Sequence, residues 1–207
     1  MLKRLKGFFD IVKSMGNIEQ LEVKIKALYA SNEPNRAEWA NWLGDNHVLV
    51  VADYATGMAL KHGANPVLSR AAALLHDIAD VRMKRNNKGH AEESLRIARG
   101  LMNDFDFSEE DTTIVVDDAI RFHSCHGQER PSSMEGKILS TSDSLAHLKT
   151  DFYIFATWAL GRESSLEEVK SWTLKKLERD LNTKIFFDNV REDVRPDYEA
   201  IKKLFSR

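Results

Sequence analysis

The chain has 207 residues, 43% of them hydrophobic and 30% charged, with a formal net charge of −2. That length and composition suit one globular domain able to bury a core. The near-balanced charge gives no global field for a nucleic-acid polymer or an anionic membrane, so neither is expected as a partner. Cys125 is the single cysteine; one thiol rules out an internal disulfide and fits a reducing compartment, hence an expected cytoplasmic location.

The opening stretch, MLKRLKGFFDIVKSMG, is mildly basic and amphipathic. It lacks the unbroken apolar run and small-residue cleavage site of a signal peptide. A first helix packed on the domain is expected, with weak surface anchoring as the alternative. Beyond it, apolar residues recur at three-and-four spacing over 18–31, 36–43, 46–62, 67–79, 90–104, 109–123, 134–148, 150–160, 166–182 and 197–205, the signature of amphipathic helices. Strand-like alternation is nearly absent, and no apolar run approaches the roughly 18 residues of a membrane span. Ser108-Glu109-Glu110-Asp111 and Ser165-Leu166-Glu167-Glu168 read as helix starts with acidic first turns. The expectation is an all-α domain spanning 1–207. Its core lies at about 40–150, with N-terminal helices in 1–39 and C-terminal helices in 151–207 that pack on the core or form a lid.

Chemistry-bearing residues gather at the ends of these segments. His47 opens one helix, His76-Asp77 ends the Ala- and Leu-rich run AAALLHDIAD, His90 opens another, and His123 closes the next. Asp143 sits among apolar neighbours in KILSTSDSLAHL. An unpaired carboxylate in a low-dielectric interior is costly and normally pairs or coordinates a metal. Neutral imidazoles with carboxylates suit Mn, Fe, Co, Ni or Zn. Asp80 follows Asp77 by three positions and is a candidate base or proton shuttle, the alternative being a helix-end cap or a partner of Arg82. Arg82, Lys84, Arg85 and Lys88 form a basic loop able to grip substrate phosphate, against the plainer reading of a solvated polar loop. His126, three past His123, is a candidate substrate contact or acid. His147, four past Asp143, is either a support for a ligand or a packing residue. The stretch Phe152-Trp158 reads as core, with a pocket wall that accepts a nucleobase as the sharper reading.

The order His47, His76-Asp77, Asp143 resembles the HD-domain superfamily of metal-dependent phosphohydrolases, the likeness covering roughly residues 40–150. His90 in KGHAEES and His123 in AIRFHS fall where many members carry further histidines, a longer pattern that goes with a two-metal centre. The resemblance implies that His47, His76, Asp77 and Asp143 hold one ion, that Asp77 bridges, and that His90 and His123 hold a second. It implies one or two divalent ions (Mn, Fe, Co, Ni, Mg or Zn) and hydrolysis of a small phosphorylated metabolite of a class that includes nucleotides. A di-iron oxygenase and a non-catalytic ligand-binding module are the rival readings. The chain departs from the pattern at Val50-Val51, where many relatives have an arginine, and at Thr141-Ser142-Asp143-Ser144-Leu145, which lacks a carboxylate and an arginine that relatives often carry. Gly127-Gln128-Glu129-Arg130-Pro131 lacks the Gly-Tyr-Pro signature of cyclic-dinucleotide phosphodiesterases, which argues against that subclass.

Overall fold

The computed structural model describes residues 2–207, with side chains from residue 16; the expectation that residues 1–16 pack on the domain or anchor to a surface lies outside the described side chains. The protein is all-α, as the periodicity predicts, with no strand among the described residues. Helix α1 covers Leu2–Ala30 and α2 Ala40–Leu43. A π-helical turn, Gly44–Val48, joins α2 to α3, Leu49–His62. Gly63 ends α3 in the left-handed conformation at φ 71°, where a glycine carries no side-chain penalty. The Asn65 side chain then accepts from the backbone N–H groups of Val67 and Leu68, and Pro66 takes the first position of α4, Pro66–Leu75, a starting arrangement that leaves few amide donors unsatisfied.

After α4 the chain passes through a 3₁₀ turn, Ile78–Val81, to α5, His90–Asp104. A capping box between Ser108 and Asp111 starts α6, Glu109–Thr112, which runs on as a π-helical stretch, Thr113–Ile120. Helix α7 covers Met134–Lys149 and α8 Phe152–Leu160. A second capping box, Ser165 with Glu168, starts α9, Leu166–Arg179, which runs into a π turn at Asp180–Lys184. Helix α10, Asp188–Phe205, follows.

Helix α7 is the centre of the fold: every residue from Ile138 to Leu148 is buried. It packs on α3 and α4, which also pack on each other, and on the Thr113–Ile120 stretch. Ala52, Ala55, Ala59 and Ala71 to Ala73 are buried at these contacts; small side chains let helix axes approach closely and leave backbone-near space for the polar residues of α7. Helix α10 begins nine residues before the expected start at 197 and runs through Pro196, which removes one backbone donor. Val190, Val194, Tyr198 and Ile201 make one apolar stripe across the proline against the core, and this packing holds the helix through it.

Gly44 marks where α1 meets the first π turn. A Cβ there would lie 2.7 Å from Tyr29 Cβ. Gly44→Ala is therefore expected to force α1 away and cost about 1–3 kcal/mol, as overpacking does; urea unfolding measures this, and an unchanged midpoint would show that the contact is slack.

Candidate metal centre

Departures from regular helix place the polar side chains. His47 sits in the π turn Gly44–Val48, and such turns shift helical register and recur at functional sites. His76 closes α4, while Asp77, at φ −120° and ψ 26°, has already left helical geometry. Adjacent residues can thus both face inward. His123 follows the π stretch Thr113–Ile120. Asp143 and His147 lie one turn apart on α7 and face the same side.

Four elements thereby converge. Asp143 Oδ1 lies 3.2 Å from His47 Nε2, 3.1 Å from His147 Nε2 and 3.9 Å from His76 Nε2. His76 Nε2 is 3.4 Å from Asp77 Oδ2. Donor atoms of His47, His76 and Asp77 lie within 4.8 Å of one another, as do those of His76, His123 and Asp143, and those of His47, Asp143 and His147. The His76 and His123 Nδ1 atoms sit 2.7 and 2.6 Å from the carbonyls of Ala73 and Ile120. A carbonyl only accepts, so each Nδ1 carries the proton and each Nε2 presents a lone pair to the centre, the usual way a metal-binding imidazole is oriented.

The donor set fits a divalent cation. Among the described residues, His76 Nε2 and Asp143 Oδ1 are buried without an aligned hydrogen-bond partner. Buried polar atoms are almost always satisfied, so converging lone pairs left without donors call for a positive ion between them.

Charge reinforces this. Burial would raise the Asp143 carboxyl, but His147, Lys184 and His47 hold it well below the usual carboxylate range. Burial opposes the Asp77 anion too, and Arg85 first, then His76 and His123, keep it ionised. Burial depresses His47 and pulls His123 from 6.5 to about 4. Neutral imidazoles are the ligating form. The unfolded chain takes up a proton on His123 below about pH 6.5 while the fold resists until about 4, so the metal-free protein is expected to lose stability as pH falls through that window. Urea titrations at pH 7 and pH 5 check this; equal stability at both would contradict it.

Two cations close the centre from outside. Arg85 donates to Asp77 Oδ2 at 2.6 Å and also pairs with Asp80. Lys184, from the π turn after α9, pairs with Asp143 Oδ2 and is 2% exposed. Behind Asp143, His147 Nδ1 lies 3.0 Å from Asp180 Oδ2, which also accepts from the Tyr153 hydroxyl at 2.7 Å, with Lys176 Nζ 3.3 Å away.

The centre forms the floor of a cavity of about 460 Å³, lined also by Trp39, Arg85, His90, Arg121, His126, Phe152, Phe155, Trp172, Lys176, Arg179 and Lys184. Of the expected site residues, His47, His76, Asp77, His123 and Asp143 are brought together. His90 reaches the cavity but turns Nε2 to Asp80 Oδ1 at 2.8 Å. Asp80 is fully buried beneath Arg85 and His90 and does not line the cavity; its cationic partner is Arg85, not the expected Arg82. Only Arg85 of the basic loop faces the cavity. Arg82 borders a separate hollow beside Leu28, Glu33 and Asn35, Lys84 lines another near Arg36 and Arg162, and Lys88 is exposed. The loop turns outward because residues 82–89 are not helical and only Arg85 finds buried carboxylates. The Phe152–Trp158 stretch is not simply core: Phe152 and Phe155 line the cavity, Tyr153 is buried, and Trp158 is 61% exposed. Asp180, Lys176, Arg179 and Lys184 went unnoticed in the sequence. Lys176 falls on the helix face of the buried Val169 and Thr173, a cation on an inward stripe that could have marked it; Asp180 and Lys184, beyond the end of α9, carry no such local signal.

The all-α fold thus gathers a buried His and Asp cluster where the Gly44–Val48 turn, α4 and α7 meet, the arrangement of a helical domain built around a His and Asp centre. The HD-domain family model matches residues 44–148, and the chain belongs to that family. Similar solved structures include Bacillus subtilis YpgQ (TM-score 0.65, 20% identity, 94% of this chain and 93% of that one). A predicted HD superfamily hydrolase from an uncultured Thermotogales bacterium is another (0.58, 20%, 91% and 89%). A third is an HD-superfamily hydrolase from Bacillus thuringiensis (0.61, 18%, 93% and 95%). YpgQ has also been solved in complex with ADP. No curated protein matches the chain. Among the described residues, no helix is long and apolar enough to cross a membrane.

Proposed function

We propose that the protein is a metal-dependent phosphohydrolase acting on a small phosphorylated metabolite of the nucleotide class. The observation that carries this reading is the convergence of donor atoms from His47, His76, Asp77 and Asp143 on the floor of a cation-lined cavity, with His76 Nε2 and Asp143 Oδ1 buried and unpartnered among them. The size of the cavity and its aromatic side, Trp39, Phe155 and Trp172, suit a nucleobase or similar ring, and the ADP complex of YpgQ supports a nucleotide.

A divalent ion, when bound, supplies Lewis acidity and lowers the pKa of water to near neutrality. The chain's own residues do the rest. His76 and His123 hold their Nε2 lone pairs inward through Ala73 and Ile120. Asp80 is a positioning residue, locking Arg85 and His90 in place, rather than the base. The cations that face the cavity, Arg85 and Lys184 among them, make its field favourable to an anionic substrate. His126, depressed by burial and by Arg179, Lys184 and Lys176, is neutral at pH 7 and serves as a hydrogen-bond donor to substrate rather than an acid.

One ion per chain fits the geometry better than two. The expected second site would be incomplete, because His90 is committed to Asp80, while Asp77 and Asp143 are each tied through one oxygen to Arg85 and Lys184. The same commitments weigh against a di-iron oxygenase. The test is phosphate release from a panel of nucleotides and phosphate monoesters with Mn²⁺, Mg²⁺, Co²⁺ and Fe²⁺. Release that requires an added ion and stops with chelator is expected; no release from any member with any ion would refute the reading.

A further inference from the structure

The cations that face the cavity are not equally engaged. Arg85 is bound to Asp77 and Asp80, and Arg121 lies 3.6 Å from Glu92. Lys184 is paired with Asp143 and Lys176 with Asp180. Arg179 differs. Among the described residues no carboxylate pairs with it; its side-chain hydrogen-bonding neighbour is His126 Nδ1 at 3.5 Å, and its Nε is buried with no hydrogen-bond partner. A buried guanidinium N–H without an acceptor is costly, and here it belongs to a side chain on the cavity wall.

Spacing explains how the three cations meet. Lys176 and Arg179 are three apart on α9 and share a face, and the π turn Asp180–Lys184 brings Lys184 back onto Asp143. Three cations thus face two buried carboxylates, Asp143 and Asp180, and Arg179 is the one left unmatched. We propose that Arg179, flanked by Lys184 and Lys176, is the anion-binding wall that receives the substrate's phosphate, so that α9 and its π turn select phosphorylated ligands. The wall lies outside the matched residues 44–148 and on a different segment from the basic loop at 82–88. This assignment rests on the hydrolase reading and deepens it. Arg179 supplies a planar fork suited to two phosphate oxygens, while Lys184 ties the wall to the floor through Asp143. His126 beside it is depressed first by burial and then by these same cations, which agrees with a locally positive wall.

The test is calorimetric titration of Mn²⁺-loaded protein with inorganic pyrophosphate, metal content being measured on the same samples. Wild type is expected to bind. Arg179→Gln should weaken binding about 10- to 100-fold, the scale of charge-assisted hydrogen bonds, with metal content and helical signal unchanged. Arg179→Lys should recover part of the loss, and Arg82→Gln should stay within about twofold of wild type. Binding by Arg179→Gln within twofold of wild type overturns the assignment, and so does wild type that holds metal but binds no pyrophosphate. Arg179-dependent binding by a protein that hydrolyses no phosphate ester upholds the wall while the hydrolase reading falls.

Discussion

Asp77→Ala is expected to lose its bound divalent ion and its hydrolytic activity while keeping its helical circular-dichroism signal. The carboxylate sits at the junction of α4 and the following 3₁₀ turn, 3.4 Å from His76 Nε2 and 2.6 Å from Arg85. Replacing partners one shell further out typically costs about 10–100-fold in metal affinity, so removing a direct donor is expected to cost at least the upper end of that range. Arg85 retains Asp80, so no buried cation is stranded and the fold should survive. Metal content by mass spectrometry and turnover of the preferred substrate are the readouts. Wild-type metal content with wild-type turnover would show that the centre lies elsewhere.

The second large effect is on stability. Asp180 is fully buried and holds His147, the Tyr153 hydroxyl and Lys176 together behind Asp143. Burial works against its charge, but Lys176 and His147 keep its carboxyl far below the usual range. Asp180→Ala leaves the Lys176 ammonium without its carboxylate, and breaking a buried pair in this way costs about 3–5 kcal/mol. For a chain of this size that corresponds to roughly 6–20 °C in melting temperature. The sign with pH is fixed by the lowered carboxyl. Its stabilisation is complete above the ordinary carboxylate range and drains away only as pH falls through it, so variant and wild type should converge in strong acid. Asp180→Asn keeps an acceptor for Tyr153 and should fall between the two. A loss under about 1 kcal/mol for the alanine variant would mean that solvent reaches the network.

The helices were legible because this chain writes them plainly. Apolar spacing marks α4, α5 and α7, and Asn65-Pro66, Ser108 and Ser165 mark starts that the structure uses. The first half of helix α10 was missed because residues 188–196 are mostly polar, and the stripe from Val190 to Ile201 gains its meaning only from packing on the core. The centre divides the same way. His47, His76, Asp77, His123 and Asp143 stand out as polar groups at the edges of apolar runs. His147 was noticed as either a support for a ligand or a packing residue, because its spacing from Asp143 places it on the same face but says nothing of Asp180 behind it. Asp180 and Lys184 were invisible because their partners lie 33 to 41 positions away, as His147 and Asp143, and only the π turn after α9 brings them inward. The basic loop was over-read: a run of cations beside a ligand segment says nothing about which of them turns toward buried carboxylates, and only Arg85 does.

The account depends on a single ion held among His47, His76, Asp77 and Asp143. Crystals grown with Mn²⁺ and measured at the manganese edge test it directly. One anomalous peak per chain, within about 2–2.5 Å of donor atoms from those four side chains, is the expected result. No peak at that position, or two peaks with one on His90, would contradict the account.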